Sequence, residues 1–206
     1  MVGIDSGSVR LGGDLIVPPK ARGVVLFAHG SGSSRFSARN NYVAGVLREA
    51  GMGTLLFDLL TEDEAEDRAN VFNIDLLASR LLDATKWTAA NREAKGLDIG
   101  YFGASTGGAA ALLAAVQSPI GIKAVVSRGG RPDMVLPILG LVKSPTLLIV
   151  GGEDTEVLKF NRTAYDALKT EKSFKVVPGA THLFEEPGKM EAVASLAREW
   201  FLVHFV

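Results

Sequence analysis

Six short apolar runs, most of them followed by a helical pattern, punctuate this chain: "GVVLFAHG" (23–30), "GTLLFDLL" (53–60), "LDIGYFGAS" (97–105), "IKAVVSRGG" (122–130), "PTLLIVGGED" (145–154) and "SFKVVPGATH" (173–182). Val24 to Ala28 and Thr146 to Val150 are almost continuously hydrophobic. Strands with one wet face alternate apolar and polar residues, whereas strands of a parallel sheet, covered on both faces, do not. Parallel neighbours also need long crossovers. The segments at about 38–50, 73–91, 106–117, 131–141, 155–169 and 188–205 supply them as helices. In the second, Ile74, Leu77, Leu81, Leu82 and Trp87 share roughly one face, as a helix covering a sheet requires. The alternation predicts a doubly wound α/β fold with helices on both faces. Ahead of it, "GIDSGSVRLGGDLIVP" carries a turn signal between two strand-like runs and predicts an antiparallel hairpin at the sheet edge. The expected sheet therefore has eight strands, mostly parallel.

No Pro/Gly/Ser-rich linker or charge block divides the 206 residues, so one domain spanning 1–206 is expected. With 47% hydrophobic residues the chain can bury a sizeable core. A net charge of −1 gives no general basic surface for nucleic acid or anionic lipid. Cysteine is absent, which removes disulfides and thiol chemistry and suits a reducing compartment. The start, "MVGIDSGSVRLGG", has no basic-then-apolar leader, and no run reaches membrane-spanning length, so a cytoplasmic protein without a membrane partner is expected. The three histidines lie far apart and form no metal-ligand pattern, so neither metal nor cofactor is expected. The oligomeric state is not legible.

Ligands of open α/β sheets bind beyond the carboxyl ends of the strands. The unusual polar residues collect there, in "HGSGSS", the Ser105 turn, "RGGR", "GGED" and "GATH". Ser105 stands in "YFGASTGGAA", where Gly103 and Gly107 complete a G-x-S-x-G pattern. That pattern suits a nucleophile on a sharp strand-to-helix turn, because neighbouring backbone passes too close for side chains. The competing reading is a Gly-rich turn before an alanine helix. A serine hydroxyl needs a base within hydrogen-bond reach and a third group to orient that base. His182 and Asp154, each after a predicted strand, can fill those roles. The developing oxyanion needs donors, which the Thr106 N–H at a helix N-terminus and a backbone N–H of Ser31, or of Gly32, would supply.

The stretches "FAHGSGSSR", "GYFGASTGGAAAL", "SRGGRPD", "LLIVGGEDTEV" and "PGATHLFEEPG", spread from residue 27 to 188, resemble the small α/β-hydrolases of the dienelactone-hydrolase-like group. The chain order Ser, Asp, His is also theirs. The resemblance implies an eight-stranded α/β-hydrolase sheet with Ser105, Asp154 and His182 as a triad acting on a small-molecule ester. Dienelactone hydrolases proper resemble this layout but use a cysteine nucleophile, with a glutamate in the oxyanion loop. This chain has Ser105 and no Glu within 29–37, so a serine esterase is expected in place of an enzyme for dienelactone itself. Similar domains also occur fused to or beside phosphoribosyltransferases. Thioester or lactone cleavage, acyl transfer, or a non-catalytic binding scaffold are the rival functions.

Several residues carry two readings. Glu153 competes with Asp154 for the histidine, and the G-x-x-D spacing from Gly151 favours Asp154. His29 is expected to pack under the oxyanion loop, and His204 has no evident partner. Arg128 and Arg131 could bind an anionic substrate group, since guanidinium forks suit carboxylates, or "RGGRPD" could tie its own loop through Asp133. The acidic run "TEDEAEDR" reads as a solvated helix approach. Only the seventeen residues "GGRPDMVLPILGLVKSP" separate strands six and seven, too few for a cap domain. Within them, "DMVLPILGLV" could wall an acyl pocket or pack on the sheet.

Overall fold

The computed structural model describes residues 1–205. Its eight strands are β1 (Val2–Ser6), β2 (Val9–Ile16), β3 (Gly23–Ala28), β4 (Gly53–Phe57), β5 (Asp98–Ala104), β6 (Ile122–Arg128), β7 (Thr146–Gly151) and β8 (Lys172–Val177). They form one sheet in the order β1-β2-β4-β3-β5-β6-β7-β8. The expected hairpin is β1–β2, and β2 turns back antiparallel onto β4, while β4 through β8 run parallel. This is the expected eight-stranded, mostly parallel sheet, and among the described residues no separate cap domain stands over it.

The crossovers are α1 (Ala38–Glu49), α2 (Glu62–Glu66), α3 (Arg68–Val71), α4 (Ile74–Ala90), α5 (Thr106–Gln117), α6 (Thr155–Ala167) and α7 (Lys189–His204). Strand periodicity sorts the core into two layers. Val24, Leu26, Ala28 and Tyr101 face the layer that includes Leu77, Leu81 and Leu112 of α4 and α5. Val25, Phe27 and Phe102 face the layer with Val43 and Leu47 of α1 and Phe201 of α7. Because both faces of β3 are sealed, its six residues are all buried, which accounts for the unbroken apolar run. The buried Tyr101 hydroxyl bonds the Thr85 hydroxyl at 2.7 Å, and burial pushes its pKa up to about 12.

Two expectations change. Residues 132–141 form a 3₁₀ segment, with Val135 outside helical geometry and Pro137 inside. Pro137 has no N–H to donate, and its ring would clash with the carbonyl four residues earlier in an α-helix. The acidic run is itself structured, since Thr61 and Glu64 close a capping box on α2 and Glu64 pairs with Arg80 at 2.6 Å. Among the described residues no helix is long and apolar enough to cross a membrane.

Register aligns the strand ends. Ala28 pairs with Gly103, Ala104 with Arg128, Arg128 with Ile149, and Gly151 with Val177. The loops after β3, β5, β6, β7 and β8 thus leave one edge of the sheet together.

Candidate active site

At the centre of that edge β5 passes into α5 without a loop. Between Tyr101 and Ala114 every residue is buried except Ser105, which is half-buried. Its backbone sits at φ 52° and ψ −121°, the geometry of the first central residue of a type II′ turn and one that residues with a Cβ rarely adopt. Three backbone hydrogen bonds hold it there: Ser105 N–H donates to the Arg128 carbonyl (3.2 Å), while Gly108 and Arg131 donate to the Ser105 carbonyl (2.9 and 3.1 Å). The flanking glycines are small for the reason the sequence suggested. A Cβ on Gly107 would overlap the carbonyl oxygens of Ala28 and His29 where β3 ends, and one on Gly103 would overlap the Gly107 carbonyl. Removing bulk lets β3, β5 and α5 converge and leaves the serine side chain as the one that projects.

His182 follows β8 and Asp154 precedes α6. Their loops are joined by backbone bonds from Gly152 to Val177 and from Glu153 to Ala180, both 2.9 Å. Across this junction His182 Nδ1 lies 2.6 Å from Asp154 Oδ2. Asp154 is the more sheltered partner, with its side chain 14% exposed against 39% for His182. Glu153 is exposed and does not meet the histidine. Gly129 sits between the two loops: a Cβ on it would lie 3.4 Å from the His182 ring, and the preceding carbonyl, of Arg128, accepts the Ser105 N–H. Ser105 Oγ makes no hydrogen bond among the described residues.

The loop after β3 completes the arrangement. Ser33 N–H closes a turn on the Gly30 carbonyl at 3.3 Å, with Gly32 at φ +66°, which a glycine adopts freely. Neither the Ser31 nor the Gly32 N–H donates to an acceptor among the described residues, and Thr106 is the first residue of α5, so its N–H has no partner within the helix. His29 pins this loop from below, as expected. The Leu59 N–H donates to Nε2 and Nδ1 meets the Gly30 carbonyl, both at 3.0 Å, which fixes a neutral ring protonated on Nδ1. Burial pushes its pKa down, in keeping with that neutral state.

Ser31, Gly32 and Thr106 line a cavity of about 420 Å³, with Leu60, Val71 and Leu77 as an apolar wall and Arg35, Asp58 and Glu62 as charged lining. This wall comes from the α2–α4 region. The stretch 133–142 plays no part in it: Val135 and Leu139 are buried in the core. Neither α2–α3 nor this cavity is legible in the sequence, although T-x-x-E at Thr61 is a capping-box signal that marks the start of α2.

The two candidate arginines part company. Arg131 is held by Asp133 through two parallel bonds of 2.8 and 2.9 Å, so it ties its own loop. Arg128 is buried and has no such partner. His204 Nδ1 donates to the Trp200 carbonyl (2.7 Å), and its Nε2 approaches Glu171 at 3.4 Å. It lies at the end of α7, away from the edge that carries Ser105.

Comparison with known proteins agrees with this architecture. Residues 15–203 match the dienelactone hydrolase family. The crystal structure of a dienelactone hydrolase from Anabaena variabilis superposes with a TM-score of 0.96 at 54% identity, covering 100% of this chain and 97% of that one. Est1E from Butyrivibrio proteoclasticus shares the fold at 18% identity, with a TM-score of 0.85 and 98% coverage of both chains. A Mycobacterium tuberculosis protein that carries the provisional name phosphoribosyl transferase is 57% identical over 203 residues, covering 98% of this chain but 46% of that protein. The chain thus spans about half the length of that relative. With the match running from β2 to α7 and the relatives retaining the sheet, the chain belongs to the dienelactone hydrolase family, a family of α/β-hydrolases.

Proposed function

We propose that the chain is a serine hydrolase that cleaves small carboxylic esters through an acyl-enzyme, with Ser105 as nucleophile, His182 as base and Asp154 as its orienting acid. The observation that carries this reading is the 2.6 Å Asp154–His182 contact beside a serine held at φ 52° on a strand-to-helix turn. Asp154 accepts a hydrogen bond from Nδ1–H and thereby presents the unprotonated Nε2 as the base. Ser105 Oγ attacks the ester carbonyl and gives its proton to Nε2. The Thr106 and Ser31 N–H groups, with Gly32 as alternative to Ser31, receive the oxyanion, aided by the α5 dipole. Collapse expels the alcohol, which takes the proton from Nε2, and water repeats the sequence to release the acid. The cavity beside Ser31 and Thr106 holds one arm of the ester, and its volume of about 420 Å³ suits a compact group.

The transferase name of the longer relative belongs, in this reading, to the part of that protein outside the matched 203 residues. Thioester cleavage, lactone cleavage and acyl transfer would use the same groups. The test is hydrolysis of 4-nitrophenyl butyrate without added metal, together with labelling by a fluorophosphonate. Turnover with label on Ser105 alone, both lost in Ser105→Ala, is expected. Turnover that persists in Ser105→Ala, or label elsewhere with activity intact, would overturn the assignment.

A further inference from the structure

Thr106 carries a hydroxyl that the proposed hydrolysis does not use. The residue is 2% exposed, and among the described residues its Oγ1 is sealed from solvent with no hydrogen-bond partner. A hydroxyl taken out of water without a partner is costly, and valine fills the same space without that cost. The other buried threonines are all satisfied. Thr85 and Thr88 donate to the carbonyls of Leu81 and Ala84, both at 2.7 Å, Thr146 donates to the Ser144 carbonyl at 2.9 Å, and Thr54 accepts from Arg48 at 3.1 Å. Thr85 and Thr88 use the carbonyl four residues earlier in their own helix. Thr106 has no such carbonyl, because it is the first residue of α5 and Phe102 lies in β5. Nor does it cap the helix, since the capping position belongs to Ser105.

The surroundings of Thr106 are those of the reacting carbonyl. It lines the cavity together with Ser31 and Gly32. The loop that carries those two residues is pressed against the nucleophile: a Cβ on Gly30 would lie 3.0 Å from Ser105 Cβ and 3.1 Å from the Ala104 carbonyl oxygen. Only Cα and Cβ separate Thr106 Oγ1 from its own nitrogen, so the O–H and N–H of this one residue can donate to a single oxygen. An oxyanion is the acceptor that rewards such a donor most, because hydrogen bonds to charged groups are the stronger ones. Exclusion from water adds to this, since a fixed donor in a dry site acts at full strength on a charge that forms beside it.

We infer that the Thr106 hydroxyl is a catalytic donor, joining the backbone N–H groups of Thr106 and of Ser31 or Gly32 at the oxyanion. The inference rests on the esterase reading and adds a side chain to it. As Ser105 Oγ bonds to the ester carbon, its proton passes to His182 Nε2 and the carbonyl π pair moves onto oxygen. The Thr106 hydroxyl donates to that oxygen and keeps its own proton. When the pair returns, the bond to the alcohol oxygen breaks and the alcohol takes the proton from Nε2. Acylation and deacylation both pass through such an oxyanion, so the contact speeds turnover without tightening the bound ester.

Thr106→Val keeps the shape and removes the donor, whereas Thr106→Ser keeps the donor. With 4-nitrophenyl butyrate, kcat should fall about 10²-fold in Thr106→Val, as on loss of one oxyanion donor, with KM within about threefold of wild type. Thr106→Ser should run at least about tenfold faster than Thr106→Val. Because an unpaired buried hydroxyl is lost, Thr106→Val should melt at or above wild type while being slower. A kcat loss below about tenfold in Thr106→Val, equal rates in the two variants, or a melt lowered by more than about 4 °C would each overturn the inference. Any of these alongside an active wild type leaves the esterase reading intact. A readout without ester turnover is the adduct of Ser105 with 1,1,1-trifluoropentan-2-one, which holds a stable oxyanion and is titrated by fluorine NMR. Its affinity should drop about tenfold or more in Thr106→Val and be restored in Thr106→Ser; equal affinity in wild type and Thr106→Val overturns the inference. A wild type that forms the adduct with this dependence on Thr106 but hydrolyses no ester would support the donor and refute the esterase reading, and one that does neither overturns both.

Discussion

Replacing Ser105 by glycine should make the protein more stable than replacing it by alanine. Both variants delete the hydroxyl, but alanine keeps the Cβ that makes φ 52°, ψ −121° unfavourable, and glycine does not. The conformation cannot relax in either case, because three backbone hydrogen bonds and the close approach of β3 to Gly107 fix it. Strain at such a position is on the order of 1–3 kcal/mol. Glycine returns about 0.5–1 kcal/mol through the greater freedom of its unfolded chain. At the middle of both ranges Ser105→Gly comes out about 1 kcal/mol ahead, or roughly 2–4 °C in Tm for a chain of this size. Thermal and urea unfolding followed by circular dichroism, with equal m-values as the check on comparability, measures it without any need for activity. If Ser105→Ala proved as stable as Ser105→Gly, the backbone at Ser105 would not be strained and the argument from the turn would fall.

Asp154→Asn should lower kcat for 4-nitrophenyl butyrate by about 10⁴, as loss of the orienting acid does in a Ser-His-Asp triad, while Glu153→Gln should change it less than about threefold; a larger loss in the Glu153 variant would reverse the assignment. Gly107→Ala should cost about 3 kcal/mol or more, because its Cβ meets two backbone carbonyls that cannot move without parting β3 from α5. A melt within 2 °C of wild type, roughly 1 kcal/mol or less, would contradict that packing. His29 is buried and neutral, with its pKa pushed below the usual value of about 6.5. The unfolded chain therefore takes up a proton below about pH 6.5 that the folded chain refuses, so stability is present above that pH and is lost as pH falls. Melts between pH 7.5 and 5 should show a shallower acid decline for His29→Gln than for wild type, and parallel declines would refute the neutral, buried assignment.

Much of the architecture is written locally. β3, β4 and β7 are buried throughout, so their hydrophobicity is nearly unbroken, whereas the edge strand β8 is partly exposed; most crossover helices declare a face or a cap. The glycines around Ser105 mark a place where backbones meet, and chain order placed Asp154 and His182 after their strands. What failed was also local in origin. Pro137 stands in an otherwise helical apolar pattern and turns it into a 3₁₀ segment, and the capping box at Thr61 lies inside an acidic run whose charge reads as solvated.

The fates of the arginines lay beyond sequence. Arg128 and Arg131 share one short loop motif, yet Arg131 finds Asp133 two residues away, while Arg128 is turned by strand alternation into the α1–α7 layer. Its surroundings there are Phe184 and Arg39, which only the crossing of β6, α1 and the loop after β8 brings together. The cavity depends in the same way on where α2–α4 return over the loop after β3. Residue type and spacing determined which chemical groups reach the sheet edge, because each strand end carries its own loop. Only the tertiary structure decided which charges were left unpaired and which residues wall the cavity, because those properties belong to neighbours far apart in the chain.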